Sequence, residues 1–478
     1  MSINVIGERQ FNSDDQERFA ELSGDINPLH TDSIVSRRTM AGVPVVHGMH
    51  VLCWAIDNIL RSRSDLPAPT SLKVAFRRMI YPGDRLRIVI VKESATRLCV
   101  SAVVDDISVM TVEFGKEATA GSDLLPDDIG LLHEPVMPVS MTLNDIANCH
   151  GHISIRCTSA SLSRMFPVAT AVLGAERMAA LVRISYLVGM VCPGLHSMLG
   201  GMNLMAISSD SLTADCLAFR VTASDERFRR LSMNVGCPGW SGTVDAFVRP
   251  EPQAQPSIAK LDAHVKIGEF SGANALIVGG SRGLGELTAK LIACGGGHVT
   301  VSYRVGDADA RRVQSEIVNH GGHCDILQFD VLRSGTEQLG RLNCSPSQIY
   351  YMATPPIFGR ATTVFNDERF RTFLAVYVTG FHEIWKQMNS GTGRPVAMFY
   401  PSSIAVETRP RGMTEYAMAK AAGEALCADL EAAKTRCSVV VERLPRLSTD
   451  QTATLMEVAT ANATAVMLPI LRKMILPR

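Results

Sequence analysis

The sequence predicts an α+β N-terminal part, in which a helix wrapped by antiparallel strands occurs twice, followed by an α/β domain with a doubly wound parallel sheet. Three observations predict it. Short strings recur in order along the first half: VVHGMHVL near Gly48 resembles YLVGMVCP near Gly189, and LKVAFRRM around Phe76 resembles CLAFRVTA around Phe219. An apolar helix pattern is expected after each Gly, and β-rich runs such as RLRIVIVKE and RLCVSAVVD after the helix. Beyond residue 270 the rhythm changes to alternating strand and helix: ANALIVGG, GELTAKLIACGG, HVTVSY, ARRVQSEIVNHGG, QIYYMAT and PVAMFYPSS.

Two Pro-bearing stretches punctuate the chain, GSDLLPDDIGLLHEPVMP (121–138) and RPEPQAQPS (249–257). They give three expected domains, 1–125, 126–255 and 265–478. The chain has 478 residues, 46% of them hydrophobic and 20% charged, as in an ordinary globular protein. Lys+Arg and Asp+Glu are both 47, which argues against a nucleic-acid or strongly basic membrane-surface binder. The 12 cysteines form no CxxC, so neither a zinc site nor a disulfide framework is expected. MSINVIGERQ has no apolar run, and a reducing, cytoplasmic compartment is the expectation. Residues 184–207 carry no Asp, Glu, Lys or Arg, but Pro193, His196 and four glycines favour a buried helix with a broken start over a membrane span.

SGDINPLH (23–30) places an acid, an amide and an imidazole within six positions, Asp25 to His30. DDQERFAEL before it reads as a short helix with Gly24 near its C-cap. Asp25 and His30 then fall on an irregular segment where they can act as a general acid/base pair. PVVHGM puts Gly48 at a helix start, where a backbone N–H could polarise a carbonyl. "FAELSGDINPLHTD" followed by "AGVPVVHGM" resembles the (R)-specific enoyl-CoA hydratase group, the MaoC-like hot-dog proteins, over about residues 8 to 115. The resemblance implies catalytic Asp25 and His30, an oxyanion position at Gly48 and an orienting role for Asn27. It also implies a double hot-dog fold whose second half is degenerate. There SLSRMFPV, with Arg164 and Phe166, stands where the motif would be. Cys192 and His196 in CPGLHS are read as packed side chains rather than as a nucleophilic site.

In the C-terminal domain ALIVGGSRGLGE has glycines at 279, 283 and 285, which let a backbone approach a pyrophosphate at a helix N-terminus. Downstream, Ser403, Tyr416 and Lys420 fall in one run, the last two at i and i+4 on a helix. A nearby cation would lower the phenol's pKa for proton exchange. The set resembles the short-chain dehydrogenase/reductase family, a Rossmann fold, over about residues 272 to 460. That implies Tyr416 as proton donor, Lys420 as its activator and ribose ligand, and Ser403 on the substrate carbonyl. It implies a cofactor held by Gly279, Ser281, Arg282, Gly283, Leu284, Gly285, Tyr303, Arg304, Asp330 and Val331. Strand HVTVSY ends in Tyr303 and Arg304 with no acid before Asp307, so NADPH is expected over NADH. Two departures stand out: MATPP (352–356) replaces the family's NNAG, and Tyr377 in VYVTG replaces its helix Asn.

Together the resemblances imply a ketoreductase–dehydratase acting on 3-ketoacyl and 3-hydroxyacyl thioesters of the (R) series, in fatty-acid-like or polyketide biosynthesis. The reverse, oxidative direction is the alternative, as is decay of one domain to a docking module. Coenzyme A and an acyl carrier protein both remain open as the carrier. A homodimer, no nucleic acid, no membrane and no metal are the remaining expectations.

Overall fold

Alternation of period two builds the first sheet. In SLKVAF, Leu72 and Val74 turn into the core and Lys73 turns out; Met110, Val112 and Phe114 do the same in ISVMTVEFG. The computed structural model describes residues 5–116, 130, 132–207, 215–358, 365–390, 394–456 and 458–475. The chain divides into two compact units, one built on Met1–Glu251 and the other on the chain from Pro252 onward. The first Pro-bearing stretch and the expected boundary at 125/126 lie largely outside the described residues.

The first unit holds ten strands: β1 (Val5–Gln10), β2 (Ser71–Phe76), β3 (Arg85–Glu93), β4 (Arg97–Val104), β5 (Ile107–Gly115), β6 (His150–Ser154), β7 (Ser197–Ala206), β8 (Cys216–Asp225), β9 (Arg230–Cys237) and β10 (Trp240–Val248). They form one antiparallel sheet in the order β1-β3-β4-β5-β2-β7-β10-β9-β8-β6. The two five-stranded halves are threaded alike and meet where β2 pairs with β7, Leu72 opposite Leu204. Each half packs a helix on the sheet, Gly48–Ser62 in the first and Ala175–Tyr186 in the second, and one hydrophobic core runs through both.

The duplication is therefore real, but its expected alignment is not. β4 begins at Arg97 and its counterpart β9 at Arg230; β5 begins at Ile107 and β10 at Trp240. Both are 133 residues apart, not 141 or 143. Gly48 heads its helix, whereas Gly189 lies in a π-helical turn, Leu187–Val191, that ends one. Phe76 closes β2 while Phe219 sits inside β8. Residues 184–207 are also not one broken helix. The helix ends at Tyr186, the π turn follows, and β7 begins at Ser197. No helix among the described residues is long and apolar enough to cross a membrane.

The second unit adds β11 (Asn274–Val278), β12 (His298–Tyr303), β13 (His323–Gln328), β14 (Gln348–Tyr351), β15 (Val396–Ser403) and β16 (Cys437–Leu444). They form a parallel sheet in the order β13-β12-β11-β14-β15-β16. Alternate residues of β11 feed two cores: Ala275 and Ile277 join helices Gly283–Cys294, Asp307–Asn319 and Ala463–Lys473, while Leu276 and Val278 join Phe381–Ser390 and Thr414–Ala432. Both faces are thus covered, as parallel strands require. The strand order reverses between β11 and β14, where ligands of such sheets bind at the carboxyl ends.

Leu204 is fully buried on the strand that joins the two halves. Leu204→Ala should cost about 2–5 kcal/mol. Urea unfolding of the variant should show both halves losing structure in one shifted transition.

Candidate functional site

The first cluster begins with a helix that must stop. Asn12 caps Ser13–Ser23 by accepting the Asp15 N–H at 2.9 Å, and Gly24, at φ 77°, ends it. A side chain at Gly24 would strike the Arg183 guanidinium, 2.8 Å from a Cβ. The reversal sends Asp25 inward, where it is 2% exposed. Asn27 then starts a single turn, Pro28–Thr31, its Oδ1 accepting the Leu29 N–H at 3.0 Å. Its Nδ2 donates to the carbonyls of Gly189 at 2.8 Å and Gly194 at 3.2 Å. The His30 Nδ1 lies 2.8 Å from the Val45 carbonyl, which can only accept. Nδ1 therefore carries the proton and Nε2 the lone pair.

His47 completes the cluster. Its ring stacks on His30 with centroids 3.8 Å apart, its Nε2 lies 3.1 Å from the Asp25 carbonyl, and its Nδ1 lies 3.0 Å from Gln16 Oε1. Ligand atoms of Asp25, His30 and His47 all lie within 4.8 Å of one another, a spacing that a cation could bridge. Their hydrogen bonds to Ser185, Val45, Gln16 and the Asp25 carbonyl instead make a network suited to handling protons. Next in the chain, Gly48 opens a helix that no side chain caps, so N–H groups at its start are unspent within the helix. A Cβ at Gly48 would sit 3.1 Å from the Phe76 ring.

The inner wall comes from the second half of the unit. Ser185 Oγ donates to Asp25 Oδ2 at 2.7 Å. Gly189 lies against the same carboxylate, where a Cβ would fall 2.2 Å from Oδ1. Arg183 stacks on Tyr186 at 3.6 Å, pairs with Glu134 and holds the Ser23 carbonyl at 3.0 Å. CPGLHS is a turn into β7, where Cys192 is buried and the Gly194 carbonyl anchors Asn27. Ser185 and the contact made by Gly189 were missed in the sequence, because neither lies near the motif along the chain.

Burial pushes the Asp25 carboxyl above its ordinary range, with His30, Ser185 and the Asn27 N–H pulling it back. Burial pushes His30 down, against the pull of Asp25. Burial thus moves the acid up and the imidazole down, opposed shifts of the kind acid/base chemistry uses.

In the second unit β11 runs into the Gly-rich turn and helix Gly283–Cys294. Gly279, at φ 83°, lets the Ala353 backbone approach, and a Cβ on Gly285 would fall 2.2 Å from the Gly279 carbonyl. The Gly279 N–H donates to Ser302 Oγ at 3.0 Å; Ser281 is buried and Leu284 packs on the core. Arg282 is engaged by Asp450 at 3.4 Å, while Arg304 is exposed and has no ion pair among the described residues. The Tyr303 hydroxyl donates to Asp307 at 2.7 Å. Asp330 accepts the Leu332 N–H at 3.0 Å, and the Val331 backbone lies against Gly380.

Ser403 ends β15 and its hydroxyl lowers the Tyr416 phenol, one turn from Lys420 on helix Thr414–Ala432. The expected lowering of the phenol by Lys420 is absent here. Burial raises the Tyr416 phenol, with Ser403 alone pulling it back, and draws the Lys420 amine down to about 7. The amine is turned to the Pro401 carbonyl at 2.6 Å and lies 3.8 Å over the Tyr377 ring, but 6.0 Å from the Tyr416 ring. Tyr377 lies in a second π-helical turn, Ala375–Gly380, and its hydroxyl meets Thr354 Oγ1 at 2.5 Å. Tyr377 and MATPP are thus joined by this contact.

Residues 2–113 match the family model described as MaoC like domain. The chain is 34% identical over 112 residues to the Drosophila melanogaster peroxisomal multifunctional enzyme type 2, covering 23% of this chain and 17% of the relative. It is 28% identical over 92 residues to a 3-hydroxybutyryl-CoA dehydratase of Methylorubrum extorquens, covering 18% of this chain and 57% of that protein. Each match spans less than two thirds of the relative's own length. A short chain dehydrogenase from Burkholderia cenocepacia, solved in complex with NADP, is 19% identical with a TM-score of 0.37, covering 43% of this chain and 91% of that one.

Gly189→Ala should destabilise the first unit by about 1–3 kcal/mol, because the new methyl overpacks Asp25. In an Asp25→Ala background the same change should cost clearly less. A double-mutant cycle by chemical denaturation reads this coupling.

Proposed function

We propose that the chain is a bifunctional enzyme of 3-hydroxyacyl thioesters, with a hydratase/dehydratase centre at Asp25 and His30 and an NADP(H)-dependent reductase centre at Ser403, Tyr416 and Lys420. The observation that carries the reading is the buried Asp25–His30 pair, whose proton affinities are pushed in opposite directions within a segment matching the MaoC-like model. In dehydration, His30 Nε2 takes the proton from C2. The C2–C3 double bond forms, and the C3 hydroxyl leaves as water with the proton of Asp25. Ser185 and the Asn27 N–H receive the resulting carboxylate, and N–H groups at Gly48 stabilise charge on the thioester oxygen. The second half, a degenerate hot-dog domain in this reading, supplies the wall and not the chemistry.

The residues of the second unit fit a dinucleotide. Gly279 and Gly285 let the turn close tightly on backbone, the space a Cβ would take at Gly283 is open to within 3.9 Å of Thr449, helix Gly283–Cys294 presents its N-terminus, and Arg304 is an exposed cation suited to a 2′-phosphate. Bound NADPH would supply the hydride. Tyr416 would give the ketone oxygen its proton, and Ser403 would hydrogen-bond that oxygen. We place the reductive direction first, with the oxidative one as its reverse, on (R)-3-hydroxyacyl chains carried by coenzyme A or an acyl carrier protein. The Tyr377 ring capping Lys420 favours a second reading, a reductase half that no longer turns over.

Asp25→Asn tests the hydratase centre by two readouts. Hydration of a trans-2-enoyl thioester should fall by about 10²–10⁴-fold while NADPH oxidation with a 3-ketoacyl thioester persists. Because the folded carboxyl is raised, its ionised form costs stability above its unfolded pKa, and the cost grows as pH rises through the folded value. Asp25→Asn should therefore melt higher than wild type at neutral pH, with the gain vanishing in acid. Retained hydration would reject the site assignment, and absence of NADPH oxidation in wild type would select the second reading.

A further inference from the structure

Arg249 follows β10 directly and is only 3% exposed. Cationic side chains are almost never so buried without an anionic partner. Arg249 has none among the described residues: desolvation alone moves its guanidinium, down to about 10. Its Nε donates to the Ser197 carbonyl at 2.9 Å and its Nη2 to the Leu195 carbonyl at 2.7 Å. Those bonds occupy one flank of the guanidinium. The outer fork, Nη1 with the second Nη2 hydrogen, makes no hydrogen bond among the described residues.

The position of this cation is informative. The Leu195 carbonyl also receives Asn27 Nδ2 at 3.3 Å, so guanidinium and amide meet on one oxygen, with Asn27 midway between Asp25 and His30 in the chain. The charge of Arg249 bears on His30 and His196. Glu251, exposed two residues on, bears on His196 and not on Arg249. Arg183, the other buried arginine near the site, already has Glu134. A buried fork that shares a carbonyl with the motif's Asn27, with two donor nitrogens and no counter-charge among the described residues, matches the two oxygens of a carboxylate.

We infer that Arg249 binds a carboxylate on the acyl part of the substrate, so that the Asp25–His30 centre selects thioesters of dicarboxylic acids. This rests on the proposed hydratase reading. The phosphate of a pantetheine arm does not meet the geometry, since the length of that arm separates it from the thioester, whereas Arg249 shares the Leu195 carbonyl with Asn27 of the acid/base segment.

Calorimetry on the full chain tests it with saturated, unreactive probes: the butanedioyl and pentanedioyl monothioesters of coenzyme A against butanoyl- and pentanoyl-coenzyme A. Wild type should bind the acid-bearing probes about 10–100-fold more tightly, the strength of charge-assisted hydrogen bonds. Arg249→Met should erase that preference while changing neutral binding by less than about threefold. Arg249→Lys, which keeps the charge and loses the fork, should retain part of the preference and serves if the Met variant does not fold. No preference in wild type, or an equal loss for both probe classes in a folded variant, would overturn the inference. Hydration of trans-2-butenoyl-coenzyme A separates the two claims. Turnover without a binding preference rejects the carboxylate site alone, and a preference without turnover of any enoyl probe rejects the hydratase reading alone.

Discussion

A carboxylate pressed into a glycine is the contact on which the first unit depends. Asp25 is out of water, held by Ser185 and seated on the bare backbone of Gly189. Desolvating a carboxylate costs several kcal/mol unless donors replace the lost water. The donors sit on two parts of the chain about 160 residues apart: the Asn27 N–H lies on the motif itself, and the Ser185 hydroxyl on the helix of the other half. The single sheet through β2 and β7 keeps these parts in register, which gives the motif-free half a reason to persist. Its own connection is shorter. Between helix Ser13–Ser23 and Gly48 lie 24 residues, while between Ser159–Met165 and Ala175 lie nine. The shorter connection leaves no room for a second acid/base segment.

Both units place a π-helical turn beside their titrating groups. The wider turn withdraws backbone carbonyls from the helical ladder, and such bulges recur at functional sites. At Leu187–Val191 the Gly189 carbonyl is taken by Asn27, and at Ala375–Gly380 the Val376 carbonyl is taken by the Tyr351 hydroxyl. In the first unit the turn presents a glycine to the acid. In the second it presents an aromatic ring to the amine, and Lys420 is held by Pro401 and Tyr377 at a distance from Tyr416.

Local rules made much of this legible in the sequence. Gly24 ends its helix in the left-handed conformation, RLRIVIVKE is a strand, and the Gly-rich turn joins β11 to a helix at the point where the parallel sheet changes direction. Non-local contacts were not legible. Gly189 drew notice for its likeness to Gly48, yet its place is set by Asp25, far away in the chain. β7 was hidden because SMLGGMNLMA is paired on both sides and lacks charge, so no clean polar alternation marks it. The Lys420 amine points to the Pro401 carbonyl, a direction that spacing on a helix does not determine.

The proton affinity of Asp25 is the most direct test of this account, read by carbon NMR of the side-chain carboxyl across a pH titration of the full chain. Burial predicts a midpoint above the ordinary aspartate value of 3.8, and because the Ser185 hydroxyl lowers it, Ser185→Ala should move it further up. A midpoint at or below that value in wild type, or one that Ser185→Ala leaves unmoved, would contradict the claim that the second half of the unit tunes the acid of the first.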